Sequence, residues 1–490
     1  MSTTAAVAAV DLGATSGRVI LGGLVDGRLR LRHAARFPNQ PVRLHDGDRA
    51  GLHWNITELH RCLTAGLAQA LQGEDDVVSI GVDSWAVDYA LLRDGRMLGV
   101  PYHYRDERTN AGVAAVHGQV GPEELYARNG LQHLPFNTVF QLAADRAAGD
   151  LDVADRALLI PDLIAYWLTG HQVAETTNAS TTGLLDARTR QWDTALMEEL
   201  GIPAGLLAPV VLPGTRIGAL LPGVAAELGA ASDLPVTAVG SHDTASAVVA
   251  VPTREDSAAF ISSGTWSLVG VELDSPVLTP ESRAANFTNE GGVDGRVRYL
   301  KNVSGLWLLT ESMRTWEGPG GTDAQRSSDL AVLLAEAAAV ARSVPVFDAT
   351  DDRFTAPGDM PARITAWCRE HDVEPPRTRA EVVRSILESL AVAYATTIEQ
   401  AERLSGRTIR TVHIVGGGSQ NALLCQLTAD RTGCTVHAGP VEATAIGNVL
   451  VQLRAAGIVS GTLESLRDLV ARSFEPVRYV PRALSPTRGT

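Results

Sequence analysis

The run Ser241-His-Asp-Thr-Ala-Ser-Ala247 sets a carboxylate between two hydrogen-bonding neighbours, His242 and Thr244, ahead of a stretch of small residues. Residues 234–239 before it read as a short buried strand, and residues 245–250 after it as a tightly packed helix start. A carboxylate at the carboxyl end of a strand stands where open α/β sheets receive ligands. Asp243 is therefore a candidate general base, able to take the proton of an attacking hydroxyl. An Asp at a strand-to-helix junction more often caps the helix, and these residues alone favour the cap.

Three further stretches carry chemistry. Asp83, Trp85 and Asp88 follow an apolar strand over 77–82 and put two carboxylates and an indole around its end. That set suits a polyhydroxylated ligand, and equally a buried tryptophan flanked by turn aspartates. Gly13-Ala-Thr-Ser-Gly17 is a small polar turn between an apolar strand ending in Asp11 and a returning strand that starts at Arg18. Ser263-Gly-Thr-Trp266 is a similar turn, half a chain later. The amides and hydroxyls of such turns can hold phosphate oxygens, although a Gly/Ser hairpin alone is usually only a hairpin. Two of them, one heading each half, suggest a duplication with two facing loops able to grip a triphosphate.

The elements that must position these residues follow from local pattern. Asp26-Gly27 closes a second tight hairpin. Helices are expected over 141–147 and 421–431, ordinary α/β elements with polar turns over 161–168 and 178–183, and loops at 101–108, 134–138 and 317–322. Thr378-x-x-Glu381 is a capping box ahead of Val382, Ile386, Leu390 and Tyr394, which predicts a long helix with one buried face. The proline-rich stretch 355–379 reads as irregular, and Glu442–Asn448 as the start of a last helix. Gly416-x-Gly418 fails the dinucleotide fingerprint because Asn421 occupies its third glycine position, but it still lets a flat ligand approach the backbone.

Composition narrows the class. A chain of 490 residues exceeds one ordinary core, so two domains are expected, over 1–245 and 246–490. The net charge of −14 argues against a nucleic-acid or anionic-membrane partner. Lys301 is the only lysine and lacks the glycines of a phosphate-binding P-loop, so any nucleotide must use another cradle. The four cysteines show no C-x-x-C spacing, and the apolar run 5–10 has no basic region ahead of it. A cytoplasmic protein, monomer or homodimer, is expected.

Taken together, these strings resemble the FGGY family of carbohydrate kinases, and within it most closely the branch that phosphorylates L-rhamnulose. The ordered set includes Val10-Asp-Leu-Gly-Ala-Thr-Ser-Gly-Arg18, Gly81-Val-Asp-Ser-Trp-Ala-Val-Asp88, Leu134-Pro-Phe-Asn-Thr138 and Ser241-His-Asp-Thr-Ala-Ser-Ala247. It continues with Ser262-Ser-Gly-Thr-Trp-Ser267, Asn289-Glu-Gly-Gly292, Lys301-Asn302 and His413-Ile-Val-Gly-Gly-Gly418. The resemblance implies a duplicated α/β fold of ribonuclease H-like, actin-like type, with an active-site cleft between a sugar-binding first half and an ATP-binding second half. It implies transfer of the ATP γ-phosphoryl group to the C1 hydroxyl of L-rhamnulose, assisted by Mg2+. Asp243 matches the base, and Asp83, Trp85, Ala86, His242 and Thr244 the sugar contacts. Ala14, Thr15, Ser16, Gly17 and Arg18 match the first phosphate loop, and Thr265 the second. Asn302, Thr310 and Gly417 fall at nucleotide contacts, and Asp11 at the carboxylate that holds Mg2+ through water.

Two positions depart from the pattern. Ala86 stands where that branch commonly has glycine, and Thr310 where the family often carries glutamine. The alternatives are a family kinase for another ketose (L-fuculose, a xylulose or ribulose), a glycerol-type kinase, and a non-catalytic actin-like sugar sensor or filament subunit. The intact Asp243 and the absence of a basic recognition segment speak against the non-catalytic readings.

Overall fold

A computed structural model describes residues 5–46, 49–73, 76–253, 255–317 and 323–482. They form two compact units that interleave along the chain. The first unit joins Met1–Arg254 with Glu272–Tyr299 and Glu442–Phe474, and the second joins Glu255–Val271 with Leu300–Val441 and Glu475–Thr490.

In the first unit, β1 (Ala5–Leu12), β2 (Ser16–Val25), β3 (Arg28–Pro38), β4 (Asp76–Ser84), β5 (Arg216–Ala219) and β6 (Pro235–Thr237) make one sheet, in the order β5-β6-β4-β1-β2-β3. β1 runs antiparallel to β2 and parallel to β4, β4 is parallel to β6, and β5 returns antiparallel at the edge. β1 is buried from Ala6 to Leu12, as a central strand covered on both faces must be. Gly66 of helix Ile56–Leu71 sits against Val19, while Gly22 leaves room for Val449 of helix Ala443–Ala455. Val19 and Gly22 are an odd number of residues apart on β2, so the two helices cover opposite faces. Asp26 (φ 52°) and Gly27 (φ 72°) both take the left-handed conformation that a two-residue hairpin turn demands.

The second unit repeats the plan. β7 (Ala258–Ser263), β8 (Trp266–Leu273), β9 (Val297–Ser304), β10 (Thr411–Val415), β11 (Thr435–Ala438) and β12 (Val477–Tyr479) lie in the order β9-β8-β7-β10-β11-β12. β7 is antiparallel to β8 and parallel to β10, β10 is parallel to β11, and β12 closes the edge antiparallel. From β9 to β11 this repeats the order of the first sheet from β3 to β6, as the paired turns led one to expect. The edges differ, since β5 precedes its neighbour in the chain, β12 follows its own, and a seventh strand, Thr288–Gly291, lies beside β9. The Thr378 cap forms: Thr378 Oγ1 accepts from Glu381 N (3.2 Å), Glu381 Oε2 reaches back one residue further to Arg377 N (2.6 Å), and helix Arg379–Ser405 opens there and ends at Gly406 in the left-handed conformation.

Two expectations need correction, and a third falls almost wholly outside the described residues. The stretch 355–379 is not irregular throughout but holds helix Met360–Glu370. Asp359 accepts from Ala362 N (3.0 Å), Pro361 falls in the first turn where its missing N–H costs nothing, and Met360, Ile364, Trp367 and Cys368 bury one face. Glu442 does not open the last helix, since Leu463–Ser473 follows. The loop expected at 317–322 lies outside the described residues apart from Glu317, which ends helix Trp307–Glu317. Among the described residues no helix is long and apolar enough to cross a membrane.

Helix Ala443–Ala455 also packs on helix Asp243–Val249, with Gly447 so close that a Cβ there would enter the backbone of Ser246. Gly447→Ala should therefore lower stability by about 1–3 kcal/mol, as overpacking does in close-packed cores, and a urea-unfolding midpoint checks it.

Candidate active site

Three parallel strands of the first unit deliver their carboxyl ends to one place. Asp11 on β1 and Asp83 on β4 are register partners, and the chain beyond β6 arrives beside them, with Ser84 N donating to Ser241 O (2.9 Å). Burial pushes the Asp11 carboxyl up, the Arg18 guanidinium pulls it back, and Asp243 and Glu442 push it up again, leaving a net rise. Asp83 is raised further, by burial and by Asp11, against Asn448 Nδ2, which donates to its Oδ2 (2.5 Å) as the one hydrogen bond to its carboxylate among the described residues. Asp83 is thus fully buried beneath the loop rather than exposed to a ligand.

The β1–β2 turn is held from within and from outside. Gly13 N donates to Ser16 O (2.9 Å), while Asn39 donates its backbone N to Thr15 O (3.0 Å) and its side chain to Gly13 O (2.9 Å). Thr15 at the tip is exposed. Arg18 turns inward: its Nε and Nη2 reach Asp11 Oδ2 at 2.8 and 2.7 Å, and its Nη1 reaches Glu442 at 2.8 Å.

Glu175 fixes the loop that carries Asp243. Its buried carboxylate accepts from Ser241 N (2.9 Å), Ser241 Oγ (2.7 Å), Thr177 N (3.0 Å) and Thr177 Oγ1 (2.5 Å), and Thr177 Oγ1 lies 3.2 Å from His242 N. His242 is the residue before helix Asp243–Val249 and its side chain makes no capping hydrogen bond. Asp243 is the first helical residue, so it is not the cap. Its side chain is 31% exposed, where Asp11 and His242 are nearly closed off. Oδ1 accepts from Thr244 Oγ1 (3.1 Å) and lies 3.4 Å from His242 Nε2; among the described residues Oδ2 takes no hydrogen bond.

Behind His242 lies a charge pair that the sequence reading did not single out. Arg298 on β9 is fully buried; its Nη1 is 3.1 Å from Glu290 Oε2, its Nε donates to Gly291 O (2.8 Å), and its Nη2 is 3.1 Å from His242 Nδ1. Burial pushes the Glu290 carboxyl up, but Arg298, His242 and Thr288 together more than offset it and the net shift is downward. An arginine between Val297 and Tyr299 in an apolar strand was the available signal, since a buried charge is rarely unpaired.

Beyond β4 the chain builds an aromatic column. Trp54 stacks between Trp85 (centroids 3.9 Å apart) and His103 (4.1 Å), and Tyr104 leads on to Phe136 at 5.3 Å. Asp88 is its hub, accepting from Trp54 Nε1 (2.6 Å), Trp85 Nε1 (3.1 Å), Tyr104 N (3.1 Å) and Gln141 Nε2 (2.9 Å). Asp88 is therefore spent on scaffolding and not offered to a ligand. Ala86 is half-buried, and Val87 beside it holds φ 68°, a strained state for a β-branched residue.

The second unit gathers Thr265 and Gly417 at the carboxyl ends of β7 and β10. Gly305 lets the start of helix Trp307–Glu317 approach that turn, and Leu306 N and Trp307 N donate to Gly264 O (3.0 Å) and Thr265 O (3.1 Å). Gly416 and Gly418 fit against Ser263 with no room for a Cβ. Asn302 lies on β9 and Thr310 on the exposed side of the helix. Lys301 is half-buried, its ammonium shifted down by burial.

Among the described residues no three His, Cys, Asp or Glu side chains are grouped to hold a metal ion. A site for Mg2+ needs less, since that ion keeps waters and takes one or two carboxylates with phosphate oxygens. Asp11 fits such a partial site: an oxygen donor among carboxylates whose mutual repulsion a cation would relieve.

Residues 6–250 match the N-terminal domain, and residues 259–456 the C-terminal domain, of the FGGY family of carbohydrate kinases. The chain belongs to that family. An FGGY kinase is an ATP-dependent sugar kinase, and the duplicated sheets are its two-domain, actin-like fold. A rhamnulokinase from Pectobacterium carotovorum subsp. carotovorum is 43% identical over 99% of this chain and 94% of that protein. One from Bacteroides thetaiotaomicron is 41% identical over 97% and 96%. Among solved structures, a xylulose kinase from Rhodospirillum rubrum superposes with a TM-score of 0.75 at 20% identity, covering 98% of this chain and 94% of that one. Plasmodium falciparum glycerol kinase with ADP gives a TM-score of 0.74 at 15% identity and the same coverage.

The hub of this FGGY kinase should titrate. Burial pushes Asp88 up from its ordinary 3.8 to about 7 against four donors that favour its charged form. The folded chain then binds a proton that the unfolded chain has lost, so stability falls as pH rises from 3.8 to about 7. The fall is on the order of 4 kcal/mol across that window. Asp88→Asn should flatten this slope, as urea unfolding at a series of pH values will measure.

Proposed function

We propose that this kinase is a rhamnulokinase, transferring the γ-phosphoryl group of ATP to the C1 hydroxyl of L-rhamnulose to give L-rhamnulose 1-phosphate, in a route that degrades L-rhamnose. The observation that carries the chemistry is Asp243, a carboxylate with one oxygen engaged by its neighbours and the other open, at the meeting point of three strand ends. The sugar assignment rests on the relatives named rhamnulokinase, 39–43% identical over nearly the whole chain.

A sugar hydroxyl is a weak nucleophile at neutral pH, and Asp243 Oδ2 would take its proton as the O–P bond forms. His242 and Thr244 hold the other oxygen, so the base cannot turn away from the sugar. Trp85 and Ala86 would line the sugar, with Asp83 supporting them from beneath. The turn at Ala14, Thr15, Ser16 and Gly17, the turn at Thr265, and Asn302, Thr310 and Gly417 would hold ATP, with Arg18 anchoring the first turn through Asp11. Mg2+ held by Asp11 through water would neutralise charge on the transferring phosphates. The free cysteines are in keeping with a reducing cytoplasm. A second reading is a kinase for another ketose, favoured by the methyl of Ala86 next to strained Val87.

Asp243→Asn should lower turnover by about 10²–10⁴-fold or more, while sugar affinity stays within about tenfold. Stopped-turnover calorimetry with sugar alone gives the affinity, and wild-type turnover by the variant would remove Asp243 from the mechanism. ADP release should be greatest with L-rhamnulose among L-rhamnulose, L-fuculose, D-xylulose, L-ribulose and glycerol; a different winner moves the assignment to the second reading.

A further inference from the structure

We infer that Arg298 is a positioning residue that fixes the tautomer of His242, and through it the aim of Asp243. The inference rests on Asp243 being the base. Arginine carries only N–H donors, so where Arg298 Nη2 meets His242 Nδ1 at 3.1 Å in hydrogen-bonding geometry, Nδ1 is the acceptor. A ring nitrogen that accepts bears no proton, and the proton of the neutral imidazole then sits on Nε2. That nitrogen lies 3.4 Å from Asp243 Oδ1, an ion-pair distance rather than a closed hydrogen bond, which sets the ring proton on the carboxylate's side.

The competing arrangement would have Nδ1–H donate to Glu290 Oε2, which lies 3.2 Å away. Glu290 Oε2 is close enough to attract a proton on Nδ1 but does not close a hydrogen bond to it, whereas Arg298 Nη2 meets Nδ1 in hydrogen-bonding geometry. Were the proton on Nδ1, a bare Nε2 would face Asp243 Oδ1, lone pair against negative charge, and the base would swing off its axis. Glu290 has a different task. It neutralises an arginine that is fully buried and would otherwise be costly there. With Thr244 Oγ1 and His242 Nε2 both on Oδ1, the second oxygen of Asp243 is left for the sugar hydroxyl. The catalytic loop thus has two anchors: Glu175 for its backbone, and the Glu290–Arg298 pair for its imidazole.

The test begins with the wild-type enzyme, labelled with 15N in its histidine rings and assigned by the loss of one ring's signals in His242→Gln. Nδ1 of His242 should show the shift of an unprotonated nitrogen and Nε2 that of a protonated one; a proton on Nδ1 overturns the inference and leaves the Asp243→Asn result untouched. In Arg298→Met the ring proton should redistribute toward Nδ1, and kcat should fall by about 10–100-fold with a smaller change in sugar KM, the range seen when a supporting partner is removed. Unchanged kcat in a folded Arg298→Met variant overturns the inference. Arg298→Met combined with Glu290→Gln puts an amide donor in reach of Nδ1 and should restore the Nε2–H tautomer and part of kcat. A double variant with the tautomer restored but kcat no better than Arg298→Met alone overturns the link to Asp243. Should Arg298→Met fail to fold, the wild-type ring spectrum still decides.

Discussion

Taking an ionised carboxylate out of water costs several kcal/mol unless cations or hydrogen-bond donors replace the lost hydration. The first unit does this repeatedly within one cluster of loops: Asp11, Asp83, Asp88, Glu175 and Glu290 are each no more than 5% exposed. They are compensated differently. Glu290 has a full cation in Arg298 and is shifted down, while Asp88 and Glu175 have only neutral donors and are shifted up by burial. Asp11 has a cation but also acidic neighbours, and its net shift is upward. Arg18 and Arg298 are where the unit places its positive charge, and much of the loop geometry follows from reaching them.

That division separates scaffold from chemistry. Asp88 and Glu175 spend their oxygens on indoles, amides and hydroxyls, so each organises a loop from the inside. Asp243 is set apart by exposure and by having one oxygen uncommitted, which is what a proton acceptor needs. The same polar residue types, a few residues apart in sequence, do opposite jobs because one side of the loop faces protein and the other faces outward.

The sequence was informative wherever the signal was local. Strand–turn–strand patterns located β1–β2 and β7–β8, the Thr378–Glu381 box located a helix start, and Asp243 lay at a strand-to-helix junction as read. Pro361 misled because a proline in a helix's first turn and a proline in a loop look alike until the cap at Asp359 is recognised. The sequence left Asp88 open between ligand group and scaffold because its donors Trp54 and Gln141 come from elements far from it in sequence. Glu175 and Asn39 escaped for the same reason, their partners Ser241 and Gly13 lying far off in the chain. Asn448 lies 365 residues from Asp83, and no local pattern marks such a pair.

The interleaving of the units bears on how the chain is made. Helix Ala443–Ala455 covers one face of the first sheet and supplies Asn448 to Asp83, Gln452 Nε2 to Ala8 O (3.1 Å) and, from the residue before it, Glu442 to Arg18. Ser473 Oγ accepts from Leu29 N across 444 residues. During synthesis β1, with its buried Asp11, emerges well before the helix Ala443–Ala455 that covers it. The nascent first half therefore carries an uncovered apolar sheet face until that helix is made, and the enzyme's charge cluster comes into being only when residues 442–452 return to β1 and β4.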